Sequence, residues 1–532
     1  MEQAGVPVVP GYHGELQDPR LLKRKAYEIG YPVLIKAVAG GGGKGMRRVD
    51  KHADFDHALE AAMREAASAF GDDRVLIEKY IASPRHIEIQ VFADRHGNII
   101  HLNERDCSLQ RRHQKVMEEA PAPGMTPQLR ERMGAAAIAA AKAVGYVGAG
   151  TVEFIADGSR GLSADSFWFM EMNTRLQVEH PVTESVTGTD LVEWQFRVAA
   201  GEKLPLRQDQ VKPAGHAIEA RIYAEDPEHN FLPSTGKLIA LEFPTLEGLR
   251  IDSGVEAGGQ VTPYYDPMIA KLIAHGASRE AALDKLGNAL ENTLIAGPRT
   301  NLSFLAALCG APDFAAGNFD TGFIDRNLEK LGAVPQDIDR AAAALGAARL
   351  IAREQARISA RRDPPEVPSP WDSADAFQLS GERAGAIAIL VDGKSAQAMI
   401  SYGIADMPVT IDGVAPDPSA IAIEGPDAVY VLRGGRQTVV RLKNFEGIDV
   451  GQLEGDGVIK APMHGKVLAL LVEVGEKVAK GHRLAIIEAM KMEHALSAPL
   501  DGIVSEIAVK AGAQVAEGAK VMVITAVDTK KE

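Results

Sequence analysis

The chain has 532 residues, enough for about three or four domains at roughly 150 residues each. Hydrophobic residues make up 46% and charged ones 24%, and no apolar run reaches the roughly 18 residues of a membrane span, which excludes a disordered chain and a spanning helix. With 58 Lys plus Arg against 72 Asp plus Glu the net charge is −14, the wrong sign for a general nucleic-acid binder; two cysteines far apart, Cys107 and Cys309, argue against a disulfide framework or a cysteine zinc site and fit a reducing compartment.

From the start to about residue 325, β-branched runs alternate with Ala-rich helical patterns, the texture of layered α/β or α+β structure. Met1 leads into Ala4-Gly5-Val6-Pro7 without a basic, apolar or Arg-rich leader. Residues 32–36 predict a strand that enters Gly40-Gly41-Gly42-Gly43-Lys44-Gly45 and leaves through the strand-like 46–49. A G-x-G-x-x-G can be read there, but a Rossmann turn must open a helix. A Walker A lysine must precede Ser or Thr, whereas Lys44 precedes Gly45 and Met46. Strand, glycine turn and strand describe a hairpin whose backbone N–H groups close over phosphates, with a bare surface turn as the plain alternative.

Residues 54–70 and 127–144 predict helices, and 75–78 and 87–92 predict strands. The polar, basic run 103–115 contains no aromatic residues, so nucleotide or anion binding explains it more economically than a nucleic-acid patch. Cys107 within it reads as a packing residue rather than a reactive thiol. The densest chemistry lies at 169–181. If 169–173 is a strand, Glu171 and Asn173 share one face, and Glu153, one hairpin earlier, faces Glu171. Two carboxylates and an amide oxygen make a hard-oxygen site suited to Mg²⁺ carrying phosphates; the alternative is a solvated sheet face. Arg175, Gln177 and Glu179 are expected to continue the alternation.

Further on, 337–362 predicts a long helix, Pro364, Pro365, Pro368 and Pro370 mark a semi-rigid linker, and 371–450 predicts a small antiparallel β domain. The last segment repeats itself. Ala461-Pro462 recurs as Ala498-Pro499, Gly465 as Gly502, Val467 as Val504, Gly475 as Gly512, Val478 as Val515 and Gly481 as Gly518, always 37 residues on. Two copies of such a unit predict a pseudo-two-fold flattened β-barrel.

Between the copies, Ala489-Met490-Lys491-Met492 resembles the biotinyl-acceptor sequence; lipoyl domains share the duplicated barrel but usually carry Asp-Lys-Ala at the tip. Biotin attachment needs an exposed lysine ammonium, which becomes an amide at the base of a long tether. Lys36, the glycine loop, Glu104-Arg105-Asp106-Cys107-Ser108 with the 110–115 run, and the stretch 171–184 together resemble biotin carboxylase, an ATP-grasp enzyme. With the biotinyl tip, the chain resembles the α subunits of biotin-dependent acyl-CoA carboxylases over nearly its whole length, most specifically at 30–275 and 456–527.

That resemblance implies a multidomain α+β protein. Its ATP-grasp catalytic domain at 1–205 would lack the family's N-terminal doubly wound lobe. A biotin carboxylase C-terminal domain would follow at 206–330. A helix, linker and subunit-docking antiparallel β-barrel domain would occupy 331–455, and a flattened-barrel biotinyl domain 456–527. It also implies roles. Lys36 and the backbone of Gly41, Gly42, Gly43 and Gly45 would hold ATP phosphates. Glu78 and Ile81 would border the adenine, with His86, Gln110 and His113 near the ribose and Lys115 beside the transferring phosphoryl group. Glu153 and Glu171, with Asn173, would bind Mg²⁺ or Mn²⁺. Arg175 and Gln177 would orient bicarbonate, Glu179 would be its general base, and Arg221 would stabilise the oxygen charge that develops on biotin. Lys491 would carry the biotin and supply carboxybiotin to a carboxyltransferase β subunit, after modification by a biotin protein ligase.

The implied assembly is a hetero-oligomer without nucleic acid or membrane, cytoplasmic in a bacterium and in the mitochondrial matrix of a eukaryote. 3-Methylcrotonyl-CoA is the favoured acyl-CoA, with geranyl-CoA and propionyl-CoA as neighbours. Because the N-terminal lobe and an ATP-contacting lysine ahead of Ala4 are missing from the resemblance, a second expectation is a biotinylated carrier and scaffold with weak or no carboxylase activity. A third, a lipoyl-type carrier fused to an unrelated ATP-grasp ligase, is disfavoured by the Met-Lys-Met tip.

Overall fold

The structure is a computed structural model that describes residues 1–40, 46–112, 114–361, 379–381, 383–402, 408–443, 457–489, 492–516 and 518–526. The expectations placed on Gly41, Gly42, Gly43, Gly45, His113, Lys491 and the Pro-rich linker lie outside the described residues.

A small four-stranded sheet comes first: β1 (Gly11–Tyr12), β2 (Val33–Ala37), β3 (Met46–Val49) and β4 (Val75–Lys79), in the order β1-β4-β2-β3. Helices α1 (Pro19–Ile29) and α2 (Phe55–Phe70) back it. Val33 and Ile35 alternate inward on β2, meeting Leu22 of α1 and Phe55 and Leu59 of α2 in one apolar cluster. Asp18 caps α1 by accepting the N–H groups of Arg20 and Leu21. α2 stops at Gly71, whose φ of 71° is the left-handed conformation that glycine adopts without penalty.

The centre of the molecule is an eight-stranded antiparallel sheet. Its strands are β5 (Pro84–Ala93), β6 (Ile99–Arg111), β7 (Gln114–Ala120), β8 (Gly148–Asp157), β9 (Phe167–Asn173), β10 (His216–Tyr223), β11 (Leu249–Ser253) and β12 (Met268–Gly276). They run in the order β11-β12-β10-β7-β6-β5-β8-β9. On one face, Ile87, Ile89 and Val91 pack with Leu129, Met133 and Ala140 of α3 (Pro127–Ala143). Farther along that face, Ile218, Ala220 and Leu272 pack with Leu286 and Ala289 of α5 (Arg279–Glu291). That face also buries the ion pairs Arg85–Asp106, Glu104–Arg130 and Glu119–Arg279. The opposite face carries Glu88, Arg105 and Glu153, and the short helix α4 (His180–Thr187) lies over its middle, with Val182 and Val186 against Ala120 and Ala217. Central strands are therefore buried on both sides.

One expectation fails here. The strand alternation does not run through Arg175, Gln177 and Glu179: β9 ends at Asn173, and residues 174–179 turn into α4. Pro181 sits in the first turn of that helix, where its fixed φ and missing N–H suit a helix start and oppose a strand.

The predicted long helix is α6 (Arg340–Arg361). It packs Ala343, Ala347 and Leu350 on Val391, Val431 and Val440 of a six-stranded antiparallel sheet: β13 (Ala384–Val391), β14 (Lys394–Ser401), β15 (Val409–Ile411), β16 (Ile421–Glu424), β17 (Val429–Arg433) and β18 (Arg436–Leu442). A Cβ at Gly346 would lie 2.5 Å from a methyl of Val440, so any larger residue there forces the helix or the Val440 side chain to shift. Arg436 ties this region to the catalytic part, donating to Glu228 at 2.7 Å.

The C-terminal region realises the repeat strand by strand. Gly465–Leu470, Lys477–Val478 and Arg483–Ala489 reappear as Gly502–Ile507, Gln514–Val515 and Lys520–Ala526, each 37 residues on. Two four-stranded sheets result, and each takes strands from both copies. Val467 and Ile487 share one core with their counterparts Val504 and Ile524. Ala489 pairs with Met492, so this hairpin ends on the two sides of Met490-Lys491.

Candidate active site

Cross-strand register builds the site. On the charged face Arg105 of β6 pairs with Glu88 of β5, Glu88 with Glu153 of β8, and Glu153 with Glu171 of β9. Directly opposed residues in antiparallel strands project to the same side, so the four form a row across the sheet. Lys115 of β7 reaches into that row. Its ammonium lies 2.7 Å from Glu88 Oε2, 3.3 Å from Glu153 Oε1 and 2.6 Å from Glu179 Oε1. Glu179, at the mouth of α4, is shared: its second oxygen lies 2.8 Å from Nη2 of Arg221 on β10.

Glu153 collects further donors. His86 Nε2 lies 3.0 Å from Oε2, while Asn173 Nδ2 at 2.7 Å and Gln177 Nε2 at 3.1 Å donate to Oε1. Arg175, exposed at the rim, donates to Gln177 Oε1 at 2.5 Å. The predicted cluster of His86, Lys115, Glu153, Asn173, Arg175, Gln177, Glu179 and Arg221 is thus brought together. Glu171 is exposed on the edge strand, in register with Glu153 but outside the buried network. Lys36 and Glu78 lie on the small sheet, where the lysine donates to the carboxylate at 3.0 Å. Ile81 and Gln110 are half-buried, and Gln110 pairs with Lys115 across the β6–β7 hairpin.

The electrostatics follow from this crowding. Burial pushes Glu153 up, but the His86 hydrogen bond and the charges of His86 and Lys115 outweigh it and hold the carboxyl at about 2. Glu88 is also held at about 2, with Arg105 and Lys115 overcoming its burial. Glu179 is pushed up by burial and by Glu88, yet Lys115, Arg221 and Arg105 bring it below its ordinary value, so it is ionised at neutral pH. Lys115 stays protonated: burial works against its charge, and the surrounding anions raise it well above an ordinary lysine. Burial pushes the Cys107 thiol well up, which suits packing and not nucleophilic chemistry.

Several residues escaped the sequence reading. Arg105, with no exposure, donates to Glu88 at 2.6 Å, Gln90 at 2.9 Å and Thr183 of α4 at 2.8 Å. Glu118 and Glu219 flank Arg221, and Lys271 stands beside Arg221 on β12. A signal was present: His86, Glu88 and Gln90 alternate with Ile87, Ile89 and Val91, which puts three polar side chains on one face.

The residues fit a divalent cation carrying phosphate. Glu153 is a carboxylate ionised at neutral pH, in register with a second carboxylate, Glu171, with the Asn173 amide alongside. His86, Glu88 and Glu153 also bring ligand atoms within 4.8 Å of one another, but Lys115 already supplies a positive charge among them. The site thus sets one ionised carboxylate, Glu179, between two cations, Lys115 and Arg221.

Comparison with known proteins leads to the same place. The ATP-binding domain of the carbamoyl-phosphate synthase L chain matches residues 1–207, the biotin carboxylase C-terminal domain 219–326, and the biotin-requiring enzyme domain 457–524. The α subunit of mitochondrial methylcrotonoyl-CoA carboxylase from Dictyostelium discoideum is 46% identical, the match covering 93% of this chain and 74% of that protein. The mouse counterpart is 44% identical over 93% of this chain and 72% of its own length. Among solved structures, the biotin carboxylase domain of 2-oxoglutarate carboxylase from Hydrogenobacter thermophilus, a dimer with MgADP, ADP and bicarbonate, superposes with a TM-score of 0.59. It is 47% identical, the match covering 62% of this chain and 72% of that one. The chain belongs to the α subunits of biotin-dependent acyl-CoA carboxylases. It is an ATP-dependent ligase that carboxylates covalently held biotin, and it uses ATP and Mg²⁺. Its relatives are α subunits, which implies a partner β subunit. No helix among the described residues is long and apolar enough to cross a membrane.

Proposed function

We propose that this chain charges biotin on Lys491 for a methylcrotonoyl-CoA carboxylase, and that Glu179 is its general base. The observation that carries this reading is the sharing of one buried carboxylate between Lys115 and Arg221. Ionised at neutral pH, Glu179 can take the proton of bicarbonate as the oxygen attacks the γ-phosphorus of ATP. Arg175 and Gln177 orient the bicarbonate, and their hydrogen bond sets the spacing of that pair. Lys115 and Lys36 offset charge spread over the phosphoryl oxygens. Glu153, Glu171 and Asn173 would hold the metal, which would supply positive charge beside the phosphates. His86 fixes Glu153 from behind. The phosphates are assigned to Gly41, Gly42, Gly43 and Gly45, and the nucleoside to Glu78, Ile81, Gln110 and His113. Biotin on Lys491 supplies, when bound, the ureido nitrogen that accepts the carboxyl group, and Arg221 offsets the charge on the ring oxygen.

The ATP-grasp and carboxylase C-terminal portions are assigned to 1–205 and 206–330, a subunit-docking β domain to 331–455, and the biotinyl domain to 456–527. A carboxyltransferase β subunit and a biotin protein ligase complete the system, in bacterial cytoplasm or a mitochondrial matrix. The methylcrotonoyl-CoA assignment rests on the relatives' activity. The test is bicarbonate-dependent ATP cleavage by the purified chain with free biotin, alongside mass analysis after a biotin ligase. Glu179→Gln should abolish the bicarbonate dependence, and Lys491→Arg the biotin mass increment. Wild-type protein without bicarbonate-dependent cleavage would defeat the reading.

A further inference from the structure

Two carboxylates face each other beside the site and take no part in the reaction just described. Register sets Glu118 of β7 opposite Glu219 of β10, with 1% and 0% of their surfaces exposed. Opposed residues on antiparallel strands have Cβ atoms about 5 Å apart, so the carboxyl groups share one dry space. Their cations are unequal. Arg221, two residues along β10 on the same face, brings Nη2 to 2.5 Å from Glu118 Oε1. Glu219 is approached by Lys271, but only to 3.8 Å, and that ammonium donates to the Val178 carbonyl at 2.5 Å and lies 3.3 Å from Asp252. All four oxygens of Glu118 and Glu219 are buried without a hydrogen-bond partner, as is Arg221 Nε, so Glu118 Oε1 has its ion pair with Arg221 alone.

Two ionised carboxylates in such a space repel each other, and unpartnered buried oxygens are costly. One proton between them removes both problems, because the protonated carboxyl donates its O–H to the other. We infer that Glu118 and Glu219 hold a single proton, carried on Glu219, and that the pair acts as a positioning device for Arg221. Ionised Glu118 and Glu179 both hold the guanidinium, through the same nitrogen, Nη2. The pair's net charge of one sets how much of the guanidinium's field reaches the base. The assignment deepens the proposed function, since it takes Glu179 as the base and Arg221 as its partner. Burial and the neighbouring Glu118 raise Glu219 well above an ordinary carboxyl, and burial raises Glu118 although Arg221 opposes it. The other charges facing the pair and the base are Lys115 of β7, Lys271 of β12, and Glu88 and Arg105 across the sheet.

The test has two arms on the full chain. Infrared spectroscopy in mildly alkaline solution, where Glu225, raised by burial to about 7, is ionised, should show a protonated-carboxyl stretch in the wild type. That band should vanish in both Glu118→Gln and Glu219→Gln, because each leaves one carboxyl that can ionise against Arg221. The second arm is the pH profile of bicarbonate-dependent ATP cleavage. Each single substitution keeps one negative charge and should leave the acid limb in place. The double substitution leaves Arg221 to Glu179 alone and should move that limb about one unit or more to lower pH. Two equal additive shifts from the single variants would show that both groups are ionised and overturn the pair. So would an unmoved limb in the double variant. If a variant does not fold, absence of the wild-type band overturns the proposal alone. A wild-type band without wild-type activity would count against the proposed function and leave the shared proton standing.

Discussion

The catalytic sheet and the C-terminal carrier are both antiparallel β structure, and they are held together by opposite means. The catalytic sheet buries Glu88, Arg105, Glu118, Glu153, Glu179, Glu219 and Arg221. Among the described residues of 457–526, His494 is the one buried polar side chain in an otherwise apolar interior. Buried ion pairs are weak contributors to stability, since desolvation offsets most of their attraction. The catalytic sheet therefore gains little stability from these charges, which it holds in fixed positions. A carrier that presents one lysine needs no such cluster, and its core follows ordinary packing.

The strongest way to break this contrast is to orphan a buried charge. Arg105→Met leaves Glu88 with Lys115 alone and should cost about 3–5 kcal/mol in urea unfolding followed by tryptophan fluorescence. Pairing it with Glu88→Leu should recover most of that loss. A single-variant cost below about 1 kcal/mol would mean that the charged face is far wetter than its burial indicates.

Acid should separate the two regions next. Burial, with Arg112 and Arg111 adding to it, holds His494 down at about 4. The unfolded chain binds the extra proton first, so carrier stability should fall by ~2 kcal/mol as pH drops from about 6.5 to 4. Glu88 and Glu153, held at about 2, have the same sign in a lower pH window. Their contribution is complete above an ordinary glutamate value and disappears only as pH falls from about 4.5 toward 2. Calorimetry across that range should show the carrier transition moving first. A catalytic transition that moves first would reverse the contrast.

Smaller still is Ile487→Val, with an expected cost of about 0.5–1.5 kcal/mol. Its counterpart Ile524→Val should cost the same within error, because the two side chains occupy equivalent places in one core. Unequal costs would show that the duplicated sheets are not energetically equivalent. Smallest is Lys520→Ala, which removes a 2.7 Å pair with Glu506 whose partners are 46% and 51% exposed. Its effect on the carrier transition should stay within about 0.5 kcal/mol.

How far the sequence could be read differs between the same two regions. The carrier was legible because identical residues 37 apart mark equivalent strands without any energetic judgement. The row of Glu153 and Glu171 was legible too, since alternation and one hairpin fix a cross-strand pair. Glu88, Arg105 and Thr183 were not. Alternation in β5 assigns His86, Glu88 and Gln90 to one face but cannot say what covers it. The cover, α4, comes from residues about a hundred positions later, and Arg105 meets Thr183 only because that helix folds back. Arg175, Gln177 and Glu179 kept polar spacing of two in a segment that is no strand, and Pro181 was the warning that local periodicity had ended. Glu118 and Glu219 lay hidden for a related reason: each looks like half of a solvated alternation until β7 and β10 are known to be neighbours.

That pairing has a consequence for the order of events during synthesis. β7 ends at Ala120 and its partner β10 begins only at His216. At roughly 5–20 residues per second the ribosome needs about 5–20 s to make the intervening chain. Throughout that interval the β7 edge is open and Glu118 keeps its water. Hydration is stripped only when β10 arrives bearing Glu219 and Arg221 together, so the strand that creates the electrostatic problem delivers its counter-charge in the same step. A nascent chain stalled short of β10 should hold a folded small lobe and a Glu118 that titrates like an ordinary surface carboxyl.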